Sequence, residues 1–349
     1  AYYGETANSC RLEECLLKAS DMIGWKEKGM RTVMPDGKIR ARGVAMAMQG
    51  SSISNCDVGS VTVKLSDEGT YHITVGCTDM GTGCDTIIAQ FAADVLETPI
   101  DNISVYGVDT DISPYDSGSY ASSTTYLTGM AAVKACEQLR ERIIALAAVR
   151  MNKDASALTF DGENVIDESD GAKMSLFDIA TASMCNNEIS LEVTYSHSSP
   201  VSPPPFMAAC AEIEADPETG AIELLDYTAC VDCGTVVNTN LARVQTEGGL
   251  LQGIGMTLYE DIWYDERGKN LSNSFMQYKV PSRLDTDRIR VEFDSSYEPT
   301  GPFGAKSIGE IVINTPSPAI AHAIANATGL WFKELPITSE KIAMGLLKK

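Results

Sequence analysis

Histidine is scarce in this sequence. The chain has 349 residues and three histidines, at positions 72, 197 and 322, which are widely spaced. Histidine-based metal sites and Ser–His–Asp triads both depend on histidine side chains at defined positions around one centre. Neither kind of site is therefore expected in this chain.

Long apolar runs are also missing, and no secretion signal is expected. No stretch of about 18 apolar residues occurs, so no membrane-spanning helix is expected. The first residues, "AYYGETANSC", lack the basic and apolar regions of a secretion signal. We expect a cytoplasmic protein. A first residue of Ala1 fits removal of an initiator Met, and it fits a processed chain equally well.

Basic residues are fewer than acidic ones. The chain has 27 Lys and Arg against 48 Asp and Glu, which gives a formal net charge of −21. Nucleic acid is not expected as a partner, because binding a phosphate backbone needs a basic surface. An acidic chain also repels anionic ligands at long range. Local devices such as helix N-termini and Gly-rich backbone would have to hold an anionic ligand.

The cysteines follow neither a disulfide pattern nor an iron–sulfur pattern. Their number is even, but the chain is long and no secretion signal is expected, which favours reduced thiols. The spacing C-x4-C-x2-C is absent, so no iron–sulfur centre is expected on this chain. Cys230 and Cys233 form one CxxC pair, which we interpret as two half-buried thiols near a strand end. The ten cysteines are at 10, 15, 56, 77, 84, 136, 185, 210, 230 and 233.

The rest of the composition is that of an ordinary globular protein. Hydrophobic residues make up 44% and charged residues 21% of the chain, and 349 residues can form one large domain or two lobes. Helical and strand-like patterns alternate, which predicts an α/β (α+β) fold with mixed sheets and packed helices. A predicted hairpin at 157–167 is the expected seam. It would divide a first lobe at 1–165 from a second lobe at 166–349.

Pattern analysis also predicts the individual elements. Residues 113–129 are predicted as a loop of small residues, and the Pro-rich segment 198–206 as a rigid extended connector. Helices are predicted at 10–29, 84–99, 130–151, 240–261, 316–329 and 338–349, hairpins at 60–77, 157–167 and 207–234, and single strands at 102–109, 190–197 and 287–294.

Three loops of Gly or small polar residues could bind a polar, anionic ligand. In "TDMGTGCDT", Gly81 and Gly83 precede a predicted helix, where backbone N–H groups can bind phosphate, although an ordinary strand–helix turn has the same pattern. The stretch "SGSYASSTTY" offers hydroxyl donors, or is a solvated Ser-rich loop. In "GGLLQGIG", Gln252 can donate and accept hydrogen bonds at once, or the glycines serve close helix packing.

A single carboxylate stands out in "FGAKSIGEIVI", residues 303–313. Glu310 lies between Gly309 and Ile311, directly before an apolar run. Such a residue is either a solvated loop carboxylate or a base held in a dry pocket. None of the loops matches GxGxxG after a strand or GxxxxGK[ST], so no common nucleotide-binding motif explains them.

Four motifs in order resemble the xanthine oxidase family of molybdenum hydroxylases. They are "VGCTDMGTGCDTIIAQFAADVLETPIDNISVYGVDT", "SGSYASSTTYLTGMAAVKACEQL", "GGLLQGIGMTLYED" and "GAKSIGE". The resemblance runs from about residue 40 to the C-terminus and covers the second half of the family's molybdenum-binding portion. Within the family, the chain is similar in size to the medium molybdopterin subunit of nicotinate dehydrogenases, in which that portion is split in two.

The resemblance implies roles for particular residues. Glu310 matches the catalytic Glu, and Gln252, with Gly253 beside it, matches a Gln near the molybdenum ligands. The metal would be held by the pterin dithiolene, without a protein side chain as ligand. The residues that match the family's two cofactor loops are Gly81, Thr82 and Gly83 in the first loop and Ala121, Ser122 and Thr124 in the second.

Two departures from the family pattern bear on these roles. Thr82 stands where the first cofactor loop usually has Gln, so one cofactor contact must be made differently. Met46 falls near the position at which purine-oxidising members carry a substrate-stacking Phe, which weakens a xanthine assignment. Met is also a common filler of hydrophobic cores.

The resemblance further implies an activity, cofactors and partners. The reaction would be hydroxylation of an N-heteroaromatic such as nicotinate, with water as oxygen donor and Glu310 as general base. The cofactor would be molybdopterin with molybdenum, expected as the cytosine dinucleotide, with sulfur or selenium as terminal ligand. Partner chains would be a large molybdopterin subunit, an FAD subunit and a 2Fe–2S subunit. Alternatives are xanthine, another purine or an aldehyde as substrate, or a non-catalytic molybdopterin carrier or chaperone.

Overall fold

The computed structural model describes residues 6–184, 190–282, 284–286 and 288–348. The chain divides into two compact units. Unit 1 is formed by residues 1–49, 204–297 and 308–349, and unit 2 by residues 50–203 and 298–307. This division differs from the single boundary at residue 165 that the sequence predicts, because strands far apart in the chain pair within one sheet. One crossing between the units, at 203/204, lies in the Pro-rich connector predicted at 198–206.

Helices and strands alternate along the described part of the chain. The helices are α1 (Leu12–Ile23), α2 (Trp25–Lys28), α3 (Cys84–Leu96), α4 (Thr124–Met151), α5 (Leu176–Met184), α6 (Thr239–Leu258), α7 (Pro316–Thr328) and α8 (Ser339–Leu347). The strands are β1 (Arg31–Val33), β2 (Ile39–Met48), β3 (Gly59–Leu65), β4 (Tyr71–Val75), β5 (Ile103–Gly107), β6 (Leu158–Phe160), β7 (Asn164–Asp167), β8 (Lys173–Ser175), β9 (Glu192–His197), β10 (Phe206–Ala215), β11 (Ile222–Asp232) and β12 (Ile289–Phe293).

Unit 1 is built around a five-stranded sheet in the order β1-β2-β10-β11-β12. The long strand β10 pairs antiparallel with both β2 and β11, while β12 joins β11 in parallel. Alternate residues of β10 face opposite sides of the sheet. Those on one side pack with α7 and those on the other with α1, so the sheet is covered on both faces. Gly43 permits this packing, since a Cβ there would lie 2.1 Å from the Ala319 carbonyl oxygen.

Unit 2 contains a four-stranded sheet in the order β5-β4-β3-β9 and a small sheet in the order β6-β7-β8. Helices α3 and α4 pack against each other and on the four-stranded sheet. Gly129 of α4 allows the two helices to approach closely, because a Cβ there would lie 2.7 Å from the Phe91 ring. The sheet therefore holds α3 and α4 with their N-termini next to the loops that follow β4 and β5.

Most of the predicted elements are confirmed, and the mixed α/β class is correct. The three predicted hairpins form the antiparallel pairs β3–β4, β6–β7 and β10–β11. The helix predicted at 10–29 is interrupted at Gly24, which has a left-handed φ of 71°. The loop predicted at 113–129 is wrong in its second half. Helix α4 already begins at Thr124, since Tyr126, Leu127 and the small residues after them are buried.

The nine described cysteines are free thiols, as the sequence predicts. Cys185, the tenth, lies outside the described residues. Cys230 and Cys233 are fully buried rather than half-buried, because β11 lies inside its sheet. Within the described ranges, no helix combines the length and the apolar character that crossing a bilayer requires.

Candidate functional site

The nine predicted site residues are divided between the two units. The residues of the two predicted cofactor loops, Gly81 to Gly83 and Ala121 to Thr124, lie in unit 2. Gln252, Gly253 and Glu310 lie in unit 1. Each unit therefore carries its own group of candidate residues.

The first loop, between β4 and α3, is closed by a carboxylate that the sequence analysis missed. One oxygen of Asp79, Oδ1, accepts hydrogen bonds from the backbone N–H of Gly81 at 2.9 Å and of Gly83 at 3.0 Å. Burial raises the pKa of Asp79, but the N–H donors of Gly83 and Gly81 outweigh it and hold the pKa below its usual value. The two N–H groups predicted to bind phosphate are thus already paired. An Asp two residues before a Gly is the Asx-turn pattern that could have revealed this.

A small cluster of possible metal ligands adjoins this loop. Ligand atoms of Asp79, Cys84 and Asp85 lie within 4.8 Å of one another. Burial, followed by the negative charge of Asp79, raises the pKa of Asp85. We assign no ion to the cluster, because Asp79 serves as the cap of the loop and acidic groups alone do not define a site.

The second loop is held by its own hydroxyl groups in an unusual backbone conformation. Ala121 and Ser122 both have left-handed φ angles, 51° and 58°. For residues with a Cβ, each such angle costs on the order of 1–3 kcal/mol, and such residues often mark binding sites. Thr124 donates to the Ser119 hydroxyl at 2.9 Å, and Ser123 donates to the Gly118 carbonyl at 3.1 Å. These bonds argue against a freely solvated Ser-rich loop.

The second loop leads directly into the N-terminus of α4. This helix has 28 residues, no acidic residue in its first turn and no side-chain cap at Ser123. The first N–H groups of a helix carry a partial positive charge and bind anions. The end of α4 therefore fits a phosphate better than the loop before α3, where Asp79 occupies the N–H groups of Gly81 and Gly83.

The two loops lie side by side within unit 2. A Cβ on Gly76, just before the first loop, would lie 2.4 Å from the Pro114 carbonyl oxygen and 2.6 Å from Cβ of Asp116. Asp116 in turn accepts the N–H of Gly118 at 2.8 Å and the hydroxyl of Thr128 at 2.9 Å. The structure thus brings both predicted cofactor loops of this unit together and anchors the second to α4.

In unit 1, Glu310 begins a short turn that is fixed by α6. The side-chain amide of Gln245 donates to the Gly309 carbonyl at 2.9 Å, directly before Glu310. Gly249 lies against the turn, since a Cβ there would be 2.2 Å from Cγ2 of Val312. The side chain of Glu310 is exposed in this chain, as is that of Gln252. Gln245 is a positioning residue that no sequence pattern distinguishes from the other polar residues of α6.

Two other predictions can be compared with the structure, and one further residue was not predicted. Gly253 is buried, and a Cβ there would lie 2.6 Å from Pro316, so at this position the packing role is observed. Met46 is 57% exposed and is therefore not a core filler. Lys306, in the same stretch as Glu310 but in unit 2, is only 2% exposed, which no sequence pattern indicates.

Comparison with known proteins gives the family. The molybdopterin cofactor-binding domain family matches residues 18–287. The chain belongs to this family. Among curated relatives, it is 38% identical over 345 residues to the probable hypoxanthine oxidase XdhD of Escherichia coli, covering 98% of this chain and 36% of the relative. It is 31% identical over 335 residues to the gamma subunit of the 6-hydroxypseudooxynicotine dehydrogenase complex of Paenarthrobacter nicotinovorans, covering 93% of this chain and 42% of the relative.

Solved structures agree on the fold. Quinoline 2-oxidoreductase from Pseudomonas putida 86 superposes with a TM-score of 0.89 at 23% identity, covering 99% of this chain and 47% of that one. CO dehydrogenase from Oligotropha carboxidovorans superposes with a TM-score of 0.85, also at 23% identity, covering 98% and 46%. The chain thus spans less than half the length of these relatives, and it has the fold of their corresponding region.

Proposed function

We propose that this chain supplies the catalytic base and part of the cofactor-binding loops of a molybdenum hydroxylase. The observation that carries the proposal is the placement of Glu310. Its carboxylate is exposed, while the backbone before it is held by the 2.9 Å bond from Gln245. A backbone fixed in this way would hold the carboxylate within hydrogen-bond reach of the proton that a general base accepts.

The residues of unit 2 fit the phosphate-bearing cofactor that this family binds. The N-terminus of α4 would hold a phosphate, and the strained backbone at Ala121 and Ser122 would face the pterin. Thr82 and Thr124 of this unit would add polar contacts, and Gln252 of unit 1 would add another. When bound, molybdopterin, proposed here as the cytosine dinucleotide, supplies the two-electron redox chemistry through a metal that the pterin dithiolene holds, with sulfur or selenium as a further ligand.

In the proposed reaction a ring C–H and one water give a ring C–OH, two electrons and two protons. Glu310 would accept the proton that the water-derived oxygen loses as it bonds to the ring carbon. The two electrons would leave through iron–sulfur and FAD groups on partner chains. A carboxylate is suited to this step because its ionised form is a hydrogen-bond acceptor that can take up a proton.

The proposed substrate is an N-heteroaromatic of the nicotinate type, and the proposed location is the cytoplasm. The names of relatives support the ring class, since they include a hypoxanthine oxidase and a nicotine 6-hydroxylase. The hypoxanthine oxidase makes a purine the main alternative substrate. An aldehyde is a second alternative, because an aldehyde oxidoreductase subunit is 29% identical to this chain.

Replacing Glu310 by Gln in the assembled enzyme tests the proposal. Gln keeps the shape of the side chain but cannot accept the proton, so kcat is expected to fall by about 100-fold to 10,000-fold. Molybdenum and pterin content, measured by metal analysis and fluorescence of the released pterin, should stay unchanged. Glu334→Gln, an exposed carboxylate of the same unit, is the control and should retain activity. Full activity of the Glu310→Gln enzyme would show that the chain is a carrier or that the base lies elsewhere.

A further inference from the structure

The segment between α6 and β12 carries an unusual number of exposed apolar side chains. We call residues 261–284 the apolar arm. Leu284 is 97% exposed, Phe275 86% and Met276 80%. The arm exposes eight large apolar side chains, which are those of Ile262, Trp263, Tyr264, Leu271, Phe275, Met276, Val280 and Leu284.

The backbone of the arm is held in place by polar bonds. The Leu271 N–H donates to the Trp263 carbonyl at 2.7 Å, and the Trp263 N–H donates to the Ser272 hydroxyl at 3.1 Å. The turn between them is capped by Asp265, which accepts the N–H groups of Arg267 and Lys269. The apolar side chains are therefore presented on a formed backbone.

The base of the arm is attached to α6. The Tyr278 hydroxyl donates to the Glu260 carboxylate. Pro281 is buried, and a Cβ on Gly255 of α6 would lie 2.9 Å from its Cδ. The same helix supports the Glu310 turn through Gly249. The arm is therefore joined to the helix that positions the proposed base.

The charge of the arm differs from that of the chain. Three acidic and four basic residues give the arm a net charge of +1, whereas the whole chain carries −21. Protein interfaces are enriched in Trp, Tyr, Phe and Met, which are among the side chains that the arm exposes. One side of a standard interface buries about 800 Å², and three aromatic side chains at roughly 150–250 Å² each supply much of that area.

We propose that the apolar arm is the docking surface for the remaining part of the molybdopterin-binding portion. Relatives of 38% and 28% identity are longer, and this chain covers only 36% and 46% of them, so more than half of each is polypeptide outside this region. A second copy of this chain is a poorer occupant, since two chains of −21 repel each other. The proposal rests on the proposed function, because it takes that remaining part as the partner.

Site-directed photo-crosslinking in the assembled enzyme tests the proposal. The crosslinking amino acid p-benzoylphenylalanine is placed at position 275 and, in a control enzyme, at position 177. Phe177 is 59% exposed on α5 and is not part of the arm. After irradiation, mass spectrometry is expected to identify crosslinks between position 275 and the remaining part of the molybdopterin-binding portion. Position 177 is expected to give no such crosslink. Crosslinks to a second copy, to the FAD or iron–sulfur subunit, or to nothing overturn the proposal.

An association measurement gives an independent check. The double variant Phe275→Ser with Met276→Ser should weaken assembly by at least about tenfold in a titration followed by size-exclusion chromatography. Phe177→Ser should leave assembly unchanged, and circular dichroism should show both variants folded, because the replaced side chains are exposed. Equal assembly of both variants refutes the proposal. The outcome is separate from that of Glu310→Gln, which changes turnover while the crosslink at position 275 still forms.

Discussion

At the scale of single residues, Glu310 depends on a neighbour that carries none of the chemistry. Gln245 holds the carbonyl directly before it, so the backbone at Glu310 is fixed by a hydrogen bond across 64 positions of the chain. The sequence motif identifies the acid, but not the amide that positions it. Asp79 has the same relation to the first cofactor loop, where it pairs with Gly81 and Gly83.

Another residue pair predicts how stability depends on pH. The side chain of Lys153, 2.8 Å from Asp167, is the main reason why the pKa of Asp167 is lowered to about 2. Because the pKa of Asp167 is lower in the folded protein than in the unfolded chain, ionised Asp167 stabilises the fold at pH values above its unfolded pKa, near 4. This stabilisation is lost as the pH falls toward 2. In Lys153→Met the pKa of Asp167 should return toward its ordinary value. The acid-unfolding midpoint, followed by circular dichroism, should therefore move to higher pH.

Lys134→Met is the matched control for this experiment. Lys134 pairs with Glu137 at 2.8 Å on the exposed face of α4, the helix that ends two residues before Lys153, and such surface pairs contribute little. The acid midpoint of this variant should stay close to that of the natural protein. Equal shifts in both variants would mean that net charge, and not the Asp167 pair, sets the acid stability.

At the scale of elements, α6 is a helix whose glycines serve packing. Glycine inside a helix costs about 1 kcal/mol relative to Ala. Gly249, Gly253 and Gly255 offset that cost by allowing Val312, Pro316 and Pro281 to approach the helix backbone. The sequence analysis gave close packing as one of two explanations for these glycines, and the structure confirms it for these three.

Two neighbouring glycines of α6 should respond to Ala in opposite ways. A Cβ on Gly249 would lie 2.2 Å from buried Val312, so Gly249→Ala should destabilise the protein by about 1–3 kcal/mol. A Cβ on Gly248 would meet no atom within 4 Å, so Gly248→Ala should stabilise the helix by up to about 1 kcal/mol. Urea unfolding of both variants measures the difference. If the Gly249→Ala protein is as stable as the Gly248→Ala protein, then the Glu310 turn does not pack closely on α6.

At the scale of the whole molecule, the chain is proposed to be one part of an active assembly. It spans less than half the length of relatives such as XdhD, and its proposed base is exposed to solvent. Purified alone, it should therefore neither turn over a heteroaromatic substrate nor retain molybdopterin, as measured by a reduction assay and metal analysis. The complete complex, prepared in the same way, is the positive control. Turnover by the isolated chain would refute the proposed division of the site between polypeptides.

Much of the fold was predictable because its signals are local. Alternation around "SDEG" and "DPETG" predicts the hairpins, and helical spacing predicts α3, most of α4 and α6. The start of α4 is not evident from the sequence, because Ser and Thr at 122–125 are typical of loops. In the structure the helix begins there because Tyr126 and Leu127 are buried. The boundary at 165 differs from the observed units because no local pattern shows that β10 pairs with β2, more than 150 residues earlier in the chain.

The sequence by itself determined the family, the order of the elements and the identity of the candidate acid, because these depend on short motifs and local periodicity. Only the tertiary structure decided which backbone donors are already paired, which glycines are packed and which apolar side chains stay exposed. Those properties arise from contacts between residues far apart in the chain. Asp79 within the first loop, Gln245 beneath Glu310 and the arm at 261–284 are the clearest cases.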